Sequence, residues 1–537
     1  MPANPDPPDH RGPVPPGLPT PAEVTRDIER MLAFGSRLPG TPGHDAFVDW
    51  LDAEFTEAGL RVTRDRFAFE RWTARKWSLE IHDGTATRRV PISAPYTQSR
   101  STPPEGITAP LVYTGLAPGP DLPGNLLDVH GVASALGRAA RDLGSALAAT
   151  LASIPGGVRG RIVVVDAPVP PFPTGLFDLL RTDRHDPEHT IRRADDYKRV
   201  WTAMLTLPTL ERLRDAGAVG AVFVLDASAP NAAGQYLPFI RPAQDLPALI
   251  VDRETGRRLR RLARTRPTAR MLLDAETVTA MSDSLVAELP GARDDAEVAV
   301  VHTHTDGMNA FEENGALASR VLARRLAAKP RSERRRSHVF SCVTGHFGPD
   351  LPETVGFVEG HPDLIRRAAV ALTLEHLGAL EWLDDRHGYH PTGRAELAAI
   401  FHSPTPVAGV AARALRAVDL RRTQLLRPIR GTFFGVGAEL HAAGIPSVAY
   451  IPGPNYLLAS ADNGHLDKLD PARMAREIAW AAELLDRLEG DSAATLADGM
   501  TTAHPARPVP GSKQAGSKRT GSRRTGSRQA GWWRERP

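Results

Sequence analysis

The sequence predicts an α/β protein: a mixed, largely parallel sheet with helices on both faces, interrupted by an inserted, β-rich α/β segment. Two observations carry this expectation. From Ser284 onward, short apolar runs alternate with amphipathic stretches, the order that yields a parallel sheet covered by helices. Between about Pro103 and Leu273 the pattern changes to short β-like runs in a Pro- and Gly-punctuated background. With 537 residues the chain has room for roughly three domains of about 150 residues. Its 41% hydrophobic and 24% charged residues are those of a globular protein. No run approaches the ~20 apolar residues of a membrane span.

Taken in order, residues 1–19 form a Pro-rich leader expected to be disordered. It lacks a basic stretch followed by an apolar one, so no secretory signal is expected. Residues 20–102 are expected to open the core. Thr20 with Glu23 reads as a capping box, and Phe47, Trp50, Leu51 and Phe55 fall near helical spacing before the stop at Gly59. Strand-like segments follow near Arg61 to Phe69 and Trp77 to His82. Residues 103–275 form the insert, with strands expected at Ala109 to Thr114, Arg161 to Val165, Ala221 to Leu225 and Ala248 to Val251, and a helical embellishment at Val129 to Ala152. Residues 276–490 resume the core. Strands are expected at Leu285 to Leu289, Val298 to Val301, Ser337 to Val343 and Ala371 to Leu374, and helices at Gly315 to Leu326, Pro362 to Val370 and Ala472 to Leu488. Polar clusters follow several of these strands, where ligands bind in such sheets.

Residues 491–537 are expected to be disordered, ending in four Gly-Ser-Lys/Arg-x-x pentads from Gly511 to Ala530. From Gly511 to Pro537 there are eight basic residues and one acid, a net +7, so the other 510 residues carry −4 of the formal +3. The basic character belongs to the tail. That argues against a specific nucleic-acid site in the folded part and makes the tail a candidate for contact with anionic surfaces. The single cysteine, Cys342, excludes an internal disulfide framework and fits a reducing cytoplasm; its apolar surroundings predict a buried, inert thiol.

Four segments resemble metallopeptidase family twenty-eight, the co-catalytic zinc aminopeptidases, carrying a protease-associated domain insert. They are the loop Arg37-Leu38-Pro39-Gly40-Thr41-Pro42-Gly43, the strand Ser284-Leu285-Val286-Ala287-Glu288-Leu289-Pro290-Gly291, the insert's Gly-Arg-Ile-Val-Val-Val strand and Ala-Gly-Ala-Val-Gly-Ala-Val turn, and the closing Gly444-Ile445-Pro446 with Asp467-Lys468-Leu469-Asp470. The likeness spans roughly Thr20 to Leu488. It implies a zinc-aminopeptidase/phosphorylase-hydrolase-like fold and a peptide or small amide substrate, cleaved with a metal-activated water held by one or two Zn2+ ions.

The family's His-x-Asp motif maps to His304-Thr305-Asp306, implying His304 as a metal ligand and Asp306 as the residue that orients it. Its Asn-Asp-Asp-Gly motif appears as Glu312-Glu313-Asn314-Gly315, which places Glu313 at the bridging-ligand position; the same acids also suit a helix N-terminus. Where the family has a Glu-Glu pair, this chain has His346 and Phe347: His346 is a candidate base or ligand, and Phe347 cannot bind metal. Glu375, in Leu374-Glu375-His376, takes the place of a ligand Asp, and alternation along the strand points His376 to the opposite face. The last ligand His is absent from its usual place, with His465 the displaced candidate. His302 shares a strand face with His304 and is a weaker candidate. The resulting expectation is a divergent metal-dependent hydrolase of the aminopeptidase type. The alternatives are a non-catalytic homologue that binds or scaffolds, and a single-zinc acyltransferase or cyclase like glutaminyl cyclase.

Overall fold

The computed structural model describes residues 17–115 and 157–500, except 83, 85, 206, 208, 209, 240, 241 and 429–432. The expectations for the leader up to residue 16, the helix at Val129 to Ala152 and the tail beyond residue 500 lie outside the described residues. Within them, the dominant feature is one 15-stranded sheet. Its main path runs Ala94–Pro95, Ala248–Val251, Gly220–Leu225, Ile162–Ala167, Ile107–Tyr113, Thr268–Leu289, Ser337–Val343, Val298–His304, Ala368–Leu374, Ser447–Pro452, Ala398–His402, Thr423–Leu426 and Arg181–His185.

The two halves of this sheet are joined by a single strand, Thr268–Leu289. Its first residues pair with Ile107 to Pro110 and its last with His338 to Cys342, both antiparallel. Along its whole length it also pairs with Arg61–His82, so the two segments expected near Arg61 to Phe69 and Trp77 to His82 are one 22-residue strand with a bulge at Ala74/Lys76. The residues between them, Glu70 to Lys76, are polar except for Trp72 and Ala74 and break the alternation, which hid the continuity. The expected boundary between insert and core, at residues 275 and 276, therefore lies inside a continuous strand.

In the segment expected to be an insert, Ile107–Tyr113, Ile162–Ala167, Gly220–Leu225 and Ala248–Val251 form a parallel set. The same segment also reaches the far edge of the sheet. Arg181–His185 adds an antiparallel edge strand to Thr423–Leu426 of the core. Nearby, Arg199 is buried between Glu396 (2.6 Å) and Glu381 (3.2 Å). With all three groups buried, their desolvation cost offsets much of the attraction between them.

In the core, Val298–His304 is parallel to Ser337–Val343 and to Ala368–Leu374, which is parallel to Ser447–Pro452. Side chains alternate between two buried clusters. Ala299 and Val301 pack with Leu317, Leu322 and Trp480 of the helices Gly315–Ala327 and Pro471–Leu488. Val298 and Val300 pack with Phe357 and Leu440 of the helices Glu353–Gly360 and Ala438–Ala442 on the other face. Helices thus cover both faces, as the alternating pattern predicts. The capping box at Thr20 is present, the Glu23 N–H donating to Thr20 Oγ1 at 3.3 Å and the Thr20 N–H to Glu23 Oε2 at 2.8 Å. Cys342 is fully buried, and burial pushes its thiol up to about 12, so it stays a protonated, inert side chain. Order extends past the expected boundary at residue 490, because the short helix Ala493–Leu496 seats Leu496 in the core.

Candidate metal centre

Parallel strands bring their carboxyl ends to one edge, and groups at the ends of four neighbouring strands meet there. His304 ends Val298–His304, His346 follows Ser337–Val343, Glu375 and His376 follow Ala368–Leu374, and Pro452 ends Ser447–Pro452. The loop 309–314, which carries Glu312, is fixed by Asn309. Its side-chain oxygen accepts from the N–H groups of Phe311 (2.9 Å) and Glu312 (3.1 Å), and its amide nitrogen donates to the carbonyls of Leu457 (2.6 Å) and Ala459 (3.1 Å). Asn314 ties the same loop to the next strand end, accepting from the Leu377 N–H at 2.8 Å and donating to its carbonyl at 2.8 Å. Glu312 is thereby set beside His376.

Three side chains converge. Ligand atoms of His304, Glu312 and His376 lie within 4.8 Å of one another, and all three residues are buried. Glu312 Oε2 is 3.3 Å from His376 Nε2 and 3.7 Å from His304 Nε2. Tetrahedral zinc, with bonds of about 2.0–2.1 Å, separates its ligand atoms by roughly 3.3–3.4 Å, so the spacing fits one ion.

Hydrogen bonds set the protonation pattern. His304 Nδ1 donates to the Asp306 carbonyl at 2.9 Å, and His376 Nδ1 donates to the Pro452 carbonyl at 2.8 Å. A carbonyl can only accept, so each ring carries its proton on Nδ1 and turns the lone pair of Nε2 inward. Both Nε2 atoms and both Glu312 oxygens are buried without a hydrogen-bond partner. Four lone-pair-bearing atoms facing one another without a donor is costly in the interior unless a positive charge joins them. The His304 environment says the same. Burial disfavours a charge on the ring, but Asp306, then Glu312 and Glu375, outweigh that and lift the pKa to about 10, so without a cation the site draws a second proton onto Nε2 in its place. The residues present fit a divalent cation.

Of the ligands expected from the sequence, His304 joins this group and three do not. Glu313 turns away into a fully buried ion pair with Arg37, whose guanidinium also donates to the carbonyls of Asn309 (2.7 Å) and Gly35. The acid that faces the histidines is its neighbour, Glu312. Gly307 permits this arrangement, because a Cβ there would stand 1.8 Å from Glu313 Oε2. Glu375 lies at the margin, its Oε2 4.0 Å from His376 Nε2 and its Oε1 accepting from the Val436 N–H at 3.0 Å. His465 is not in the group. Its ring lies against Tyr456 (5.6 Å between centroids), and burial holds it neutral, with a pKa of about 4.

His376, expected on the opposite face, enters because its backbone adopts φ +59°, a left-handed conformation that reverses the strand's alternation. His302 is committed elsewhere, its Nε2 2.9 Å from the Thr354 hydroxyl, and burial lowers its pKa to about 3.

Asp306 orients His304 through its backbone carbonyl, while its carboxylate, 3.7 Å from Nδ1, accepts from the N–H groups of Gly345 (3.2 Å) and Phe347 (2.7 Å). That clamp places His346 over the centre, its ring 4.4 Å from that of His304. His346 Nδ1 pairs with Glu353 Oε1 at 3.0 Å, so Nε2 is the nitrogen left to exchange a proton.

These features define a class: an α/β sheet with a buried His-Glu-His centre at its carboxyl edge. Among the solved structures it matches are aminopeptidases, one of them a zinc aminopeptidase. BSAP, a zinc aminopeptidase from Bacillus subtilis, superposes with a TM-score of 0.55 at 14% identity over 90% of this chain and 100% of that one. The aminopeptidase from Aneurinibacillus sp. strain AM-1 does so at 0.52 and 16% identity, covering 87% and 93%. The peptidase M28 precursor from Shewanella amazonensis SB2B does so at 0.56 and 15% identity, covering 91% and 95%. The chain therefore has the zinc-aminopeptidase fold. No protein-family model matches it, and no curated protein matches it in sequence. Among the described residues, no helix is long and apolar enough to cross a membrane.

Proposed function

We propose that the chain is a metal-dependent amide hydrolase of the aminopeptidase type that works with one cation, held by His304, Glu312 and His376. The observation that carries this is the convergence of the buried His304, Glu312 and His376, whose ligand atoms lie within 4.8 Å of one another and have no hydrogen-bond partner. Two histidines and one glutamate leave a coordination position open, the arrangement of catalytic rather than structural zinc. When bound, the cation supplies a Lewis acid and makes a water acidic enough to react near neutral pH.

The chain's own residues supply the rest. His346 Nε2 takes the proton of the attacking water and returns it to the leaving amine, while Glu353 Oε1 holds Nδ1–H and keeps the ring in register. Asp306 fixes the His346 loop through its contacts to Gly345 and Phe347. Among the described residues a second ion finds no comparable set, because Phe347 offers no ligand atom and Glu313 is paired with Arg37. That same loss of carboxylates favours the second reading, a homologue that binds amides without cleaving them.

The test is zinc content and release of amine from aminoacyl amides by the purified full-length protein. About one zinc per chain, with hydrolysis that disappears in His304→Ala, supports the proposal; a metal-free and inert protein defeats it, and a zinc-loaded but inert one selects the binding reading. His346→Asn should lower kcat roughly 100- to 10,000-fold at unchanged zinc content. Glu353→Gln should lose less, because it removes the charge beside Nδ1 but keeps an accepting oxygen and leaves the base.

A further inference from the structure

Strand pairing leaves one long edge of the sheet open. Arg61–His82 is bonded along one side to Thr268–Leu289, but on its other side Thr87–Val90 covers only Leu79 to His82. Among the described residues, no strand lies beside Arg61 to Ser78, and these residues make no backbone–backbone hydrogen bond outside the Thr268–Leu289 ladder. A row of unpaired N–H and C=O groups of this length is a template for another strand, and proteins blunt such edges or pair them. On the solvent side of this edge, Arg66, Ala68 and Glu70 are exposed. Arg66 Nε stands 3.6 Å from Asp283, and Glu70 accepts from the Thr279 hydroxyl at 2.7 Å. Ala68 lies opposite Met281, which at 40% is the one exposed large hydrophobic side chain among the described residues.

The charges on this edge are self-complementary. Residues 65–71 read Asp-Arg-Phe-Ala-Phe-Glu-Arg. Laid antiparallel on a second copy about Ala68, the segment sets Asp65 opposite Arg71, Arg66 opposite Glu70 and Phe67 opposite Phe69, each twice by symmetry. A two-residue slip, the smallest that keeps outward-facing peptide groups opposite one another, loses this match. Centring on Phe67 leaves only Arg64 with Glu70, and centring on Phe69 leaves no opposite charges paired. Arg61 and Arg75 also fall opposite about Ala68, but each is matched within its own chain, by Glu288 at 2.8 Å and by Glu276. The exposed Ala68 and Met281 then lie at the two-fold axis with opposite charges on either side, an apolar centre in a polar rim. We propose that this edge pairs with a second copy of the chain, antiparallel about Ala68, so that two sheets continue into one across a two-fold axis. The metal centre plays no part in it.

The test is sedimentation velocity of the purified full-length protein. One pair of short strands with flanking side chains is a small interface, so dimerisation is expected at micromolar concentration, with dimer dominant at about 100 µM. Glu70→Arg sets like charges opposite each other on both sides of the axis, and so does Arg66→Glu; each should weaken dimerisation at least about tenfold. In an equimolar mixture of the two variants, one copy supplies cations at both positions and the other supplies anions. The mixture should therefore associate at least about tenfold more tightly than either variant alone, a recovery that misfolded variants could not give. A wild-type protein that stays monomeric at about 100 µM, whether its edge is bare or covered by its own chain, overturns the proposal. So does a dimer that neither variant weakens, or a mixture that associates no better than its parts.

Discussion

Replacing Glu312 by alanine is expected to abolish zinc binding and, with it, amide hydrolysis. Glu312 is the one carboxylate in the His304–His376 group, and neither of its oxygens has another partner. Two neutral imidazoles alone do not hold a divalent ion against water, so zinc content should fall from about one per chain to near zero. Loss of a Lewis acid worth several kcal/mol should lower kcat/KM by about 10³-fold or more. Stability should move the opposite way. A buried carboxylate without partners is destabilising, so in chelator Glu312→Ala should melt no lower than wild type. Added zinc should raise the wild-type melting temperature, by the equivalent of about 2.7 kcal/mol at a hundred times Kd, and leave the variant unmoved. Glu313→Gln should retain zinc, since Glu313 faces Arg37; equal zinc loss in the two variants would contradict this assignment.

The second large effect concerns Arg37 itself. Arg37→Met should destabilise the fold by about 3–5 kcal/mol, because it strands the Glu313 carboxylate in the interior and frees the Asn309 and Gly35 carbonyls. Chemical denaturation measures it. The double variant Arg37→Met/Glu313→Leu should recover much of that loss, since removing both charges also removes their desolvation cost. A single variant as stable as wild type would mean that the pair contributes nothing to holding the loop that presents Glu312.

The fold was legible because its signals are local and repeated. Alternating apolar runs and helical stretches after Ser284 map onto Val298–His304, Gly315–Ala327, Ser337–Val343 and Ala368–Leu374. What escaped were polar strands. Arg181–His185 has the sequence Arg-Thr-Asp-Arg-His, carries no apolar face, and becomes a strand only because the Thr423–Leu426 edge is there to pair with it. The centre was legible at the level of loops and less so at the level of residues. His304 and Asp306 stand at a strand end, where a ligand and its orienter belong. Adjacent acids at a helix start cannot be told apart by spacing; only the long-range partner, Arg37, some 276 residues away, removes Glu313 and leaves Glu312. His376 follows a rule that fails at strand termini, where one left-handed residue redirects a side chain. The one available signal was chemical: a second histidine directly after a strand end already marked by an acid.

The central claim is that a single divalent ion sits between His304, Glu312 and His376. Anomalous diffraction at the zinc edge from crystals of the full-length protein tests it most directly. The account predicts one strong peak, about 2.0–2.2 Å from His304 Nε2, His376 Nε2 and a Glu312 oxygen. No peak in crystals exposed to zinc, or a peak held by Glu313, Glu375 or His465 instead, would contradict it.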